Sequence, residues 1–259
     1  MDELIEKVKQ TGIDKVQLAL DPLREGGNRW RDTGKKLADS GITILSGMFG
    51  TVGEDYSTIE TIRRTGGVVP DVTWPATWAN VRQIPPIAQS LGVELITFHA
   101  GFVPENPDEP GYATVLERVG RIADLFAAAG MKIGLETGQE SAQALERFLC
   151  DLGRQNVGTN FDPANMILYG SGDPIEAVRL LAPRLWQCHI KDATRSNVPD
   201  TWGTEVVVGT GEVDWPGFFN VLNEAGYAGN FSIEREAGDS RVADIRTARE
   251  NIHAVVSGR

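Results

Sequence analysis

Residues 131–162 read MKIGLETGQESAQALERFLCDLGRQNVGTNFD and contain the repeating pattern from which we predict the fold. Two short apolar runs, MKIGLE and VGTNFD, lie on either side of segment 141–152, which has helical periodicity and ends at Gly153. A strand, a helix and a second strand in this order form the repeating unit of a parallel sheet. Each run closes on a carboxylate, Glu136 in the first and Asp162 in the second.

The same alternation continues outward to both ends of the chain. We predict eight helical segments and seven strands, the strands at 15–20, 42–48, 93–98, 131–136, 156–161, 184–190 and 229–234. A chain of 259 residues suits one (β/α)8 barrel, which typically takes about 250 residues. We therefore predict an α/β protein in which residues 1–259 form a single TIM-barrel domain.

The strand count is one short of a complete barrel. The chain opens on an amphipathic helix, DELIEKVKQ at 2–10, where a (β/α)8 barrel opens on a strand. We expect the first strand to be absent from this chain, which leaves two unpaired strand edges. An upstream segment or another subunit would fill such a gap, so a homo-oligomer is possible.

Four polar side chains close four consecutive predicted strands in the second half of the chain. They are Glu136, Asp162, His189 at the end of RLWQCH and Glu234 at the end of NFSIE. Side chains alternate across a strand, so each shares a face with small or polar residues while the opposite face is apolar. In a barrel wrapped by helices, the four would converge inside one rim.

Three carboxylates and one imidazole form a ligand set for a divalent cation. A ligand set of mostly oxygen atoms with one nitrogen favours Mn²⁺, with Mg²⁺, Co²⁺ or Zn²⁺ as alternatives. A single Glu or His at a strand end is more often a hydrogen-bonded structural group. Four of them at the same position, each about one βα unit apart, favour a metal site.

Several segments carry a family resemblance: LETGQE at 135–140, NFDPANMILYGSGDP at 160–174, CHIKDATR at 188–195, and GTGEVDW with GYAGNFSIE at 209–215 and 226–234. They resemble the xylose isomerase-like TIM barrels, which include ketose 3-epimerases, hydroxypyruvate isomerases and inosose dehydratases. The resemblance implies that Glu136, Asp162, His189 and Glu234 bind the metal. In the ketose 3-epimerases the two glutamates also move a proton, which implies catalytic roles for Glu136 and Glu234.

The resemblance extends to substrate contacts. It implies that Arg195, six positions after His189, and His99, after the run VELITF, contact the substrate, and Lys191 in HIKD is a further candidate. The ketose 3-epimerases carry a histidine three residues after the metal aspartate, whereas this chain has Asn165, which we expect to bind substrate in its place. The family's first strand, an LGxxxWSL-like run, has no counterpart before Met1.

The leading hypothesis is a metal-dependent sugar isomerase or epimerase that removes the proton α to the carbonyl of a ketose or sugar phosphate through an enediolate. One alternative is a dehydratase or lyase acting on an oxidised sugar or inosose with the same residues. Another is a non-catalytic sugar-binding protein with a vestigial metal site. Trp74, Trp78 and Trp202 are predicted in loops, where they would stack on a sugar or simply pack.

Composition excludes several classes of function. The formal net charge of −11 argues against nucleic acid and anionic membrane surfaces as partners. The two cysteines have no metal-finger spacing, and the N-terminal segment has no apolar core, so we expect a cytoplasmic protein without a signal peptide. The glycines of GTGEV at 209–213 lack the spacing of a nucleotide loop.

Overall fold

The computed structural model describes residues 1–258 and contains a nearly closed parallel barrel of seven strands with helices packed outside it. The strands of the barrel are β1 (Lys15–Ala19), β2 (Thr43–Met48), β3 (Leu95–Phe98), β4 (Lys132–Glu136), β5 (Val157–Phe161), β6 (Leu185–Ile190) and β9 (Asn230–Ile233). A short antiparallel pair, β7 (Asp192–Thr194) and β8 (Thr204–Val206), stands apart from the barrel.

Residues 1–258 contain twelve α-helices, more than the eight predicted helical segments, because several connections between strands hold two or three short helices. One helix precedes β1, and at least one helix follows each barrel strand. The helices are α1 (Asp2–Thr11), α2 (Asp21–Glu25), α3 (Thr33–Asp39), α4 (Ile59–Thr65), α5 (Trp74–Val81), α6 (Ile84–Leu91), α7 (Tyr112–Ala128), α8 (Ala142–Leu152), α9 (Pro163–Tyr169), α10 (Pro174–Leu181), α11 (Trp215–Glu224) and α12 (Arg241–Ser257). Within residues 1–258, no helix combines the length and apolar character that a membrane span requires.

The order of the strands in the sheet confirms the prediction of a TIM barrel with one strand missing. The order is β1, β2, β3, β4, β5, β6, β9, and every neighbouring pair is parallel. Among the described residues, no strand pairs with the outer edges of β1 and β9. Both edge strands are partly exposed, whereas every residue of β5 is buried.

The helical layer is continuous where the sheet is open. Helix α1 packs against α12. Arg246 of α12 donates to the carbonyl of Gln10 at 2.6 Å, and Arg249 donates to the carbonyl of Gly12 at 2.7 Å. Two guanidinium groups therefore hold the chain at the end of α1, directly before β1 begins.

The two faces of the strands differ as the alternation predicts. Ile133, Leu135, Phe161 and Cys188 point outward, are buried and belong to the apolar core between sheet and helices. The inward positions are small or polar and join in hydrogen bonds, as where Gln187 Nε2 donates to Asn160 Oδ1 at 3.2 Å. The barrel interior is therefore a polar floor beneath the carboxyl ends of the strands.

Some local features differ from the sequence-based expectation. The third strand begins at Leu95 and not at residue 93, and the pair β7 and β8 was not predicted. Trp74 and Trp78 lie on α5, where their rings stack at 5.7 Å and Arg121 covers them. Local apolar periodicity does not anticipate a hairpin as short as β7 and β8, because each strand has only three residues.

Candidate metal centre

Asp162 begins α9 and directs one carboxylate oxygen into the barrel mouth. Its Oδ1 accepts from the backbone N–H groups of Ala164 at 2.8 Å and Asn165 at 3.1 Å, the usual role of an aspartate at a helix N-cap. The other oxygen, Oδ2, is buried and has no hydrogen-bond partner in the described part of the chain. A buried carboxylate oxygen without a donor is costly unless a cation faces it.

The two ring nitrogens of His189, on β6, face different groups, as the two carboxylate oxygens of Asp162 do. Nδ1 lies 3.4 Å from Glu136 Oε1, 3.6 Å from Asp162 Oδ2 and 3.3 Å from Glu234 Oε2, and within residues 1–258 it has no hydrogen-bond partner. Nε2 lies 2.8 Å from Gln17 Oε1 and 3.1 Å from Asn160 Nδ2, which donates to Glu136. We assign the proton to Nε2 because Gln17 Oε1 is the nearer partner and can only accept. The ring thus turns Nδ1 toward the three carboxylates.

Glu136 ends β4 and is held by amide groups on both sides. Asn160 donates to its Oε2 at 3.2 Å and Asn165 donates to its Oε1 at 3.1 Å. His99 Nε2 also lies 3.4 Å from Oε1. Gly138 lets Asn165 approach this closely, because a Cβ at this position, where φ is +137°, would come within 2.4 Å of Asn165 Cβ.

Glu234 follows β9, and Lys191 neutralises it. Lys191 Nζ lies 3.0 Å from Glu234 Oε2, 2.6 Å from Glu236 Oε2 and 3.8 Å from Asp162 Oδ2, and it donates to Asn165 Oδ1 at 3.3 Å. All contacts of Glu234 with Lys191 and His189 fall on Oε2. The Glu234 side chain is 22% exposed, whereas those of Asp162 and His189 are fully buried.

The local charges favour a cation at the centre of the cluster. Burial acts to lower the pKa of His189, but the negative charges of Glu234 and Glu136 outweigh it and raise that pKa well above its usual value. Burial acts to raise the pKa of Glu234, yet His189 and Lys191 hold it well below its usual value. The pKa of Glu136 is also lowered, by His99 and His189 against the effect of burial, so these two glutamates are ionised and stabilise positive charge between them.

The four residues fit a divalent metal ion. Glu136, Asp162, His189 and Glu234 each offer one ligand atom, and these atoms all lie within 4.8 Å of one another. Ligands about 2.1 Å from a common ion would be separated by about 3 to 4.2 Å, close to the separations found here. The two unpartnered atoms, Asp162 Oδ2 and His189 Nδ1, belong to this set, which is the donor chemistry that a metal would satisfy.

The other predicted site residues divide into two groups. His99, Lys191 and Asn165 lie beside the cluster, through the contacts described above. Arg195 lies apart from it: its side chain is 61% exposed and its Nε donates to Glu212 Oε2 at 2.6 Å. A role for Arg195 in substrate binding stays a prediction, and Lys191, not Arg195, is the cation that lies against the carboxylates.

The sequence interpretation missed Gln17, whereas for Asp192, which follows Lys191 in HIKD, it predicts a role in orienting a loop or a ligand. Gln17 occupies an inward position on β1, and its polar side chain in the apolar run KVQLAL was the available signal. Asp192 is buried and accepts from the backbone N–H groups of Gly209, Gly211 and Val213 and from the indole of Trp215. Asp192 therefore fixes the loop 209–215.

Comparison with known proteins assigns the chain to a family. The fold is that of a TIM barrel, and the cluster at its rim could hold a metal ion. The family model described as xylose isomerase-like TIM barrel matches residues 5–255, and the chain belongs to this family. No curated protein matches the chain at a significant level.

Solved structures extend the comparison. A xylose isomerase domain protein from Planctomyces limnophilus is 35% identical with a TM-score of 0.89, covering 98% of this chain and 91% of that one. A xylose isomerase-like TIM barrel protein from Mycobacterium smegmatis in complex with magnesium is 20% identical with a TM-score of 0.75, covering 99% and 88%. An L-ribulose 3-epimerase is 19% identical with a TM-score of 0.73, covering 99% and 89%. The last two likenesses show the fold alone.

Proposed function

We propose that the protein is a divalent-metal-dependent isomerase or epimerase that removes the proton α to the carbonyl of a small sugar. The observation that carries this proposal is the convergence of Glu136, Asp162, His189 and Glu234, with two buried ligand atoms unpartnered within residues 1–258. Family membership and the likeness in fold to an L-ribulose 3-epimerase support it. Mn²⁺ is the proposed ion, with Mg²⁺, Co²⁺ and Zn²⁺ as alternatives.

Glu136 and Glu234 are the proposed proton carriers. A bound divalent ion would act as a Lewis acid that polarises the substrate carbonyl. Glu234 is the better candidate for the base, because its contacts fall on Oε2 and its side chain is partly exposed. Glu136, which accepts from two asparagines and lies beside His99, is the residue that we propose to return the proton.

Lys191 and Asn165 support this chemistry by charge and position. Three ionised carboxylates around a divalent cation leave about one negative charge, and the ammonium of Lys191 compensates it. Asn165 links Lys191 to Glu136 with one hydrogen bond to each. Both side chains are almost fully buried, which excludes water from this side of the cluster.

Deuterium uptake tests the proposal. The Mn²⁺-loaded protein, incubated in D₂O with ketoses, inososes and 3-oxo-glucosides, should place deuterium on the carbon next to the carbonyl of one substrate. Glu234→Gln should slow this uptake by about a hundredfold or more, the usual size of a general-base contribution. A Glu234→Gln protein with full activity would eliminate Glu234 as the base.

Product mass separates the alternatives. Isomerisation and epimerisation conserve mass, whereas a dehydratase produces loss of water from the same substrate. Binding of a sugar without deuterium uptake or a new product, across the whole panel, would instead indicate a sugar-binding protein with a vestigial site.

A further inference from the structure

The hairpin of β7 and β8 holds the segment that directly follows Glu234. Glu205, on β8, accepts from the backbone N–H groups of Glu236 at 3.0 Å and Ala237 at 2.9 Å. The same carboxylate accepts from Arg235 Nη1 at 2.9 Å. Glu205 therefore binds three consecutive residues, and the first of them is the chain neighbour of Glu234.

Arg235 extends this contact to the helical layer. Its Nε donates to Asp244 Oδ2 at 2.9 Å, in the first turn of α12. The side chains of Glu205, Arg235 and Asp244 are only 8%, 11% and 17% exposed. Because these charged groups are largely removed from water, each depends on the others for its hydrogen bonds. The chain after β9 is thus tied to the hairpin on one side and to α12 on the other.

Glu234 lies where the barrel itself gives the least support. Within residues 1–258, β9 pairs with β6 alone, and the Glu234 N–H continues this pairing by donating to the carbonyl of Ile190 at 3.1 Å. Glu136, Asp162 and His189 instead end strands that have a neighbour on both sides. An edge strand opens locally more easily than a central one. Glu234 is therefore the ligand that most needs support from outside the sheet.

The hairpin that carries Glu205 is itself fixed in place. Lys191, directly before β7, contacts Glu234 Oε2 at 3.0 Å. Asp192, the first residue of β7, accepts from three backbone N–H groups and an indole. Glu205 lies opposite Ala193 of β7 in the antiparallel pair. One anchored element therefore contacts both the side chain of Glu234 and the backbone that follows it.

We propose that Glu205 is a positioning residue for Glu234, acting through Arg235 and the backbone amides of Glu236 and Ala237. It fixes the direction in which the Glu234 carboxylate meets the other ligands, a placement that has to hold within about 0.5 Å. The hairpin thereby gives the edge strand β9 the support that a neighbouring strand gives to β4, β5 and β6. This inference rests on the proposed function, in which Glu234 binds the metal and removes the proton.

Titration of the full chain with Mn²⁺ tests the positioning role. Glu205→Leu removes both acceptor oxygens, and we expect about 10–100-fold weaker binding, the usual loss for a partner that orients a ligand. Glu205→Gln keeps one acceptor oxygen and should show a smaller loss, and it takes the place of Glu205→Leu if that variant does not fold. Asp124→Asn, which removes a carboxylate bound to Arg154 before β5, is the control and should bind as wild type.

A double-mutant cycle separates positioning of Glu234 from general loosening of the fold. In a Glu234→Gln background the ligand is already impaired, so Glu205→Leu should weaken Mn²⁺ binding further by less than about threefold. The visible absorption of the Co²⁺-loaded Glu205→Leu protein should also differ from wild type, because it reports the number and geometry of the ligands. Thermal unfolding establishes that each variant is folded at the temperature of the titration.

Two results would overturn the proposal. One is wild-type affinity for Mn²⁺ in folded Glu205→Leu and Glu205→Gln. The other is an equal loss from Glu205→Leu in the wild-type and Glu234→Gln backgrounds, which would mean that Glu205 stabilises the fold and does not act through Glu234.

Deuterium uptake distinguishes this inference from the proposed function. At saturating Mn²⁺, Glu205→Gln should lower kcat for exchange by about tenfold or more with little change in KM, because the base is misplaced and the substrate contacts remain. Loss of Mn²⁺ affinity in Glu205→Leu, with no exchange by the wild type on any sugar, would support positioning and refute the isomerase. Wild-type exchange that Glu205→Gln retains in full, with wild-type affinity for Mn²⁺, would refute positioning and leave the isomerase standing.

Discussion

Replacement of Gln17 by leucine should weaken metal binding without touching a ligand. Gln17 lies on the edge strand β1 and accepts the Nε2 proton of His189 at 2.8 Å, while its own Nε2 donates to Thr97 Oγ1 at 2.7 Å. It therefore fixes both the orientation of the imidazole and the nitrogen that carries the proton. Leucine has a similar volume but no acceptor, so the buried Nε2–H of His189 would lose its partner.

The size of the effect follows from this single hydrogen bond. A buried donor left unpaired costs about 1–3 kcal/mol, and each 1.4 kcal/mol is a factor of ten in affinity. Loss of a partner that orients a ligating histidine typically lowers metal affinity by about 10–100-fold. We therefore expect Gln17→Leu to bind Mn²⁺ about ten to a hundred times more weakly than the wild type.

Isothermal titration with Mn²⁺ measures this change, and two variants serve as controls. Gln17→Glu keeps an acceptor for His189 and should retain most of the affinity. Thr97→Val removes only the second contact of Gln17, so we expect a smaller loss than for Gln17→Leu. A folded Gln17→Leu protein with wild-type affinity would show that His189 does not need this acceptor, or that His189 is not a ligand.

Three further predictions concern the metal site, a buried acid and the open sheet. Asp162→Asn should lower the affinity for metal by more than about a hundredfold, seen as loss of bound metal in elemental analysis, yet the variant should stay folded because asparagine also caps a helix. Asp173→Asn, at the N-cap of α10, is the control and should bind as much metal as the wild type. Burial raises the pKa of Glu140 to about 8, so between pH 4.5 and 8 the folded protein keeps a proton that the unfolded chain releases, and the contribution of this group to stability falls as pH rises. Glu140→Gln should therefore raise the melting temperature relative to wild type at about pH 9 but not at pH 4.5. Between pH 4.5 and 8, the difference in free energy of unfolding between variant and wild type should grow by up to about 1.4 kcal/mol per pH unit. Identical unfolding curves for the two proteins at both pH values would contradict the burial of this acid. Hydrogen exchange measured by NMR should be at least about tenfold faster for the outward amides of β1 and β9 than for those of β4, because the edges lack a pairing strand in the described chain; uniform protection would mean that another segment covers the gap.

Local sequence was sufficient to predict the positions of Glu136, Asp162, His189 and Glu234. Each closes an apolar run, and the alternation of side chains along a strand has a period of two that one sequence displays directly. The spacing of one βα unit then predicts that neighbouring strand ends lie side by side. The same periodicity predicted seven strands and the missing eighth, which the sheet order confirms.

Tertiary structure alone decided which groups surround these four residues. Gln17 meets His189 across 172 residues of sequence, a contact that exists only because the barrel curves until β1 approaches β6. Lys191 turns inward to Glu234, whereas Arg195, four residues later, turns outward to Glu212. Strand β6 has ended before both residues, so the path of the chain after the strand sets the direction of each side chain.

Tertiary structure also brings together the side chains at the mouth of the barrel. Phe102, Gln139, Tyr169 and Trp202 come from four separate loops or helix ends, and none of them shares a periodic pattern with another. The alternation of side chains along a strand involves only residues close together in the sequence, so the sequence by itself was enough to predict the barrel and its polar strand ends. The pairing of side chains across loops depends on the closed shape, because only the packed helices and strands bring these loops together.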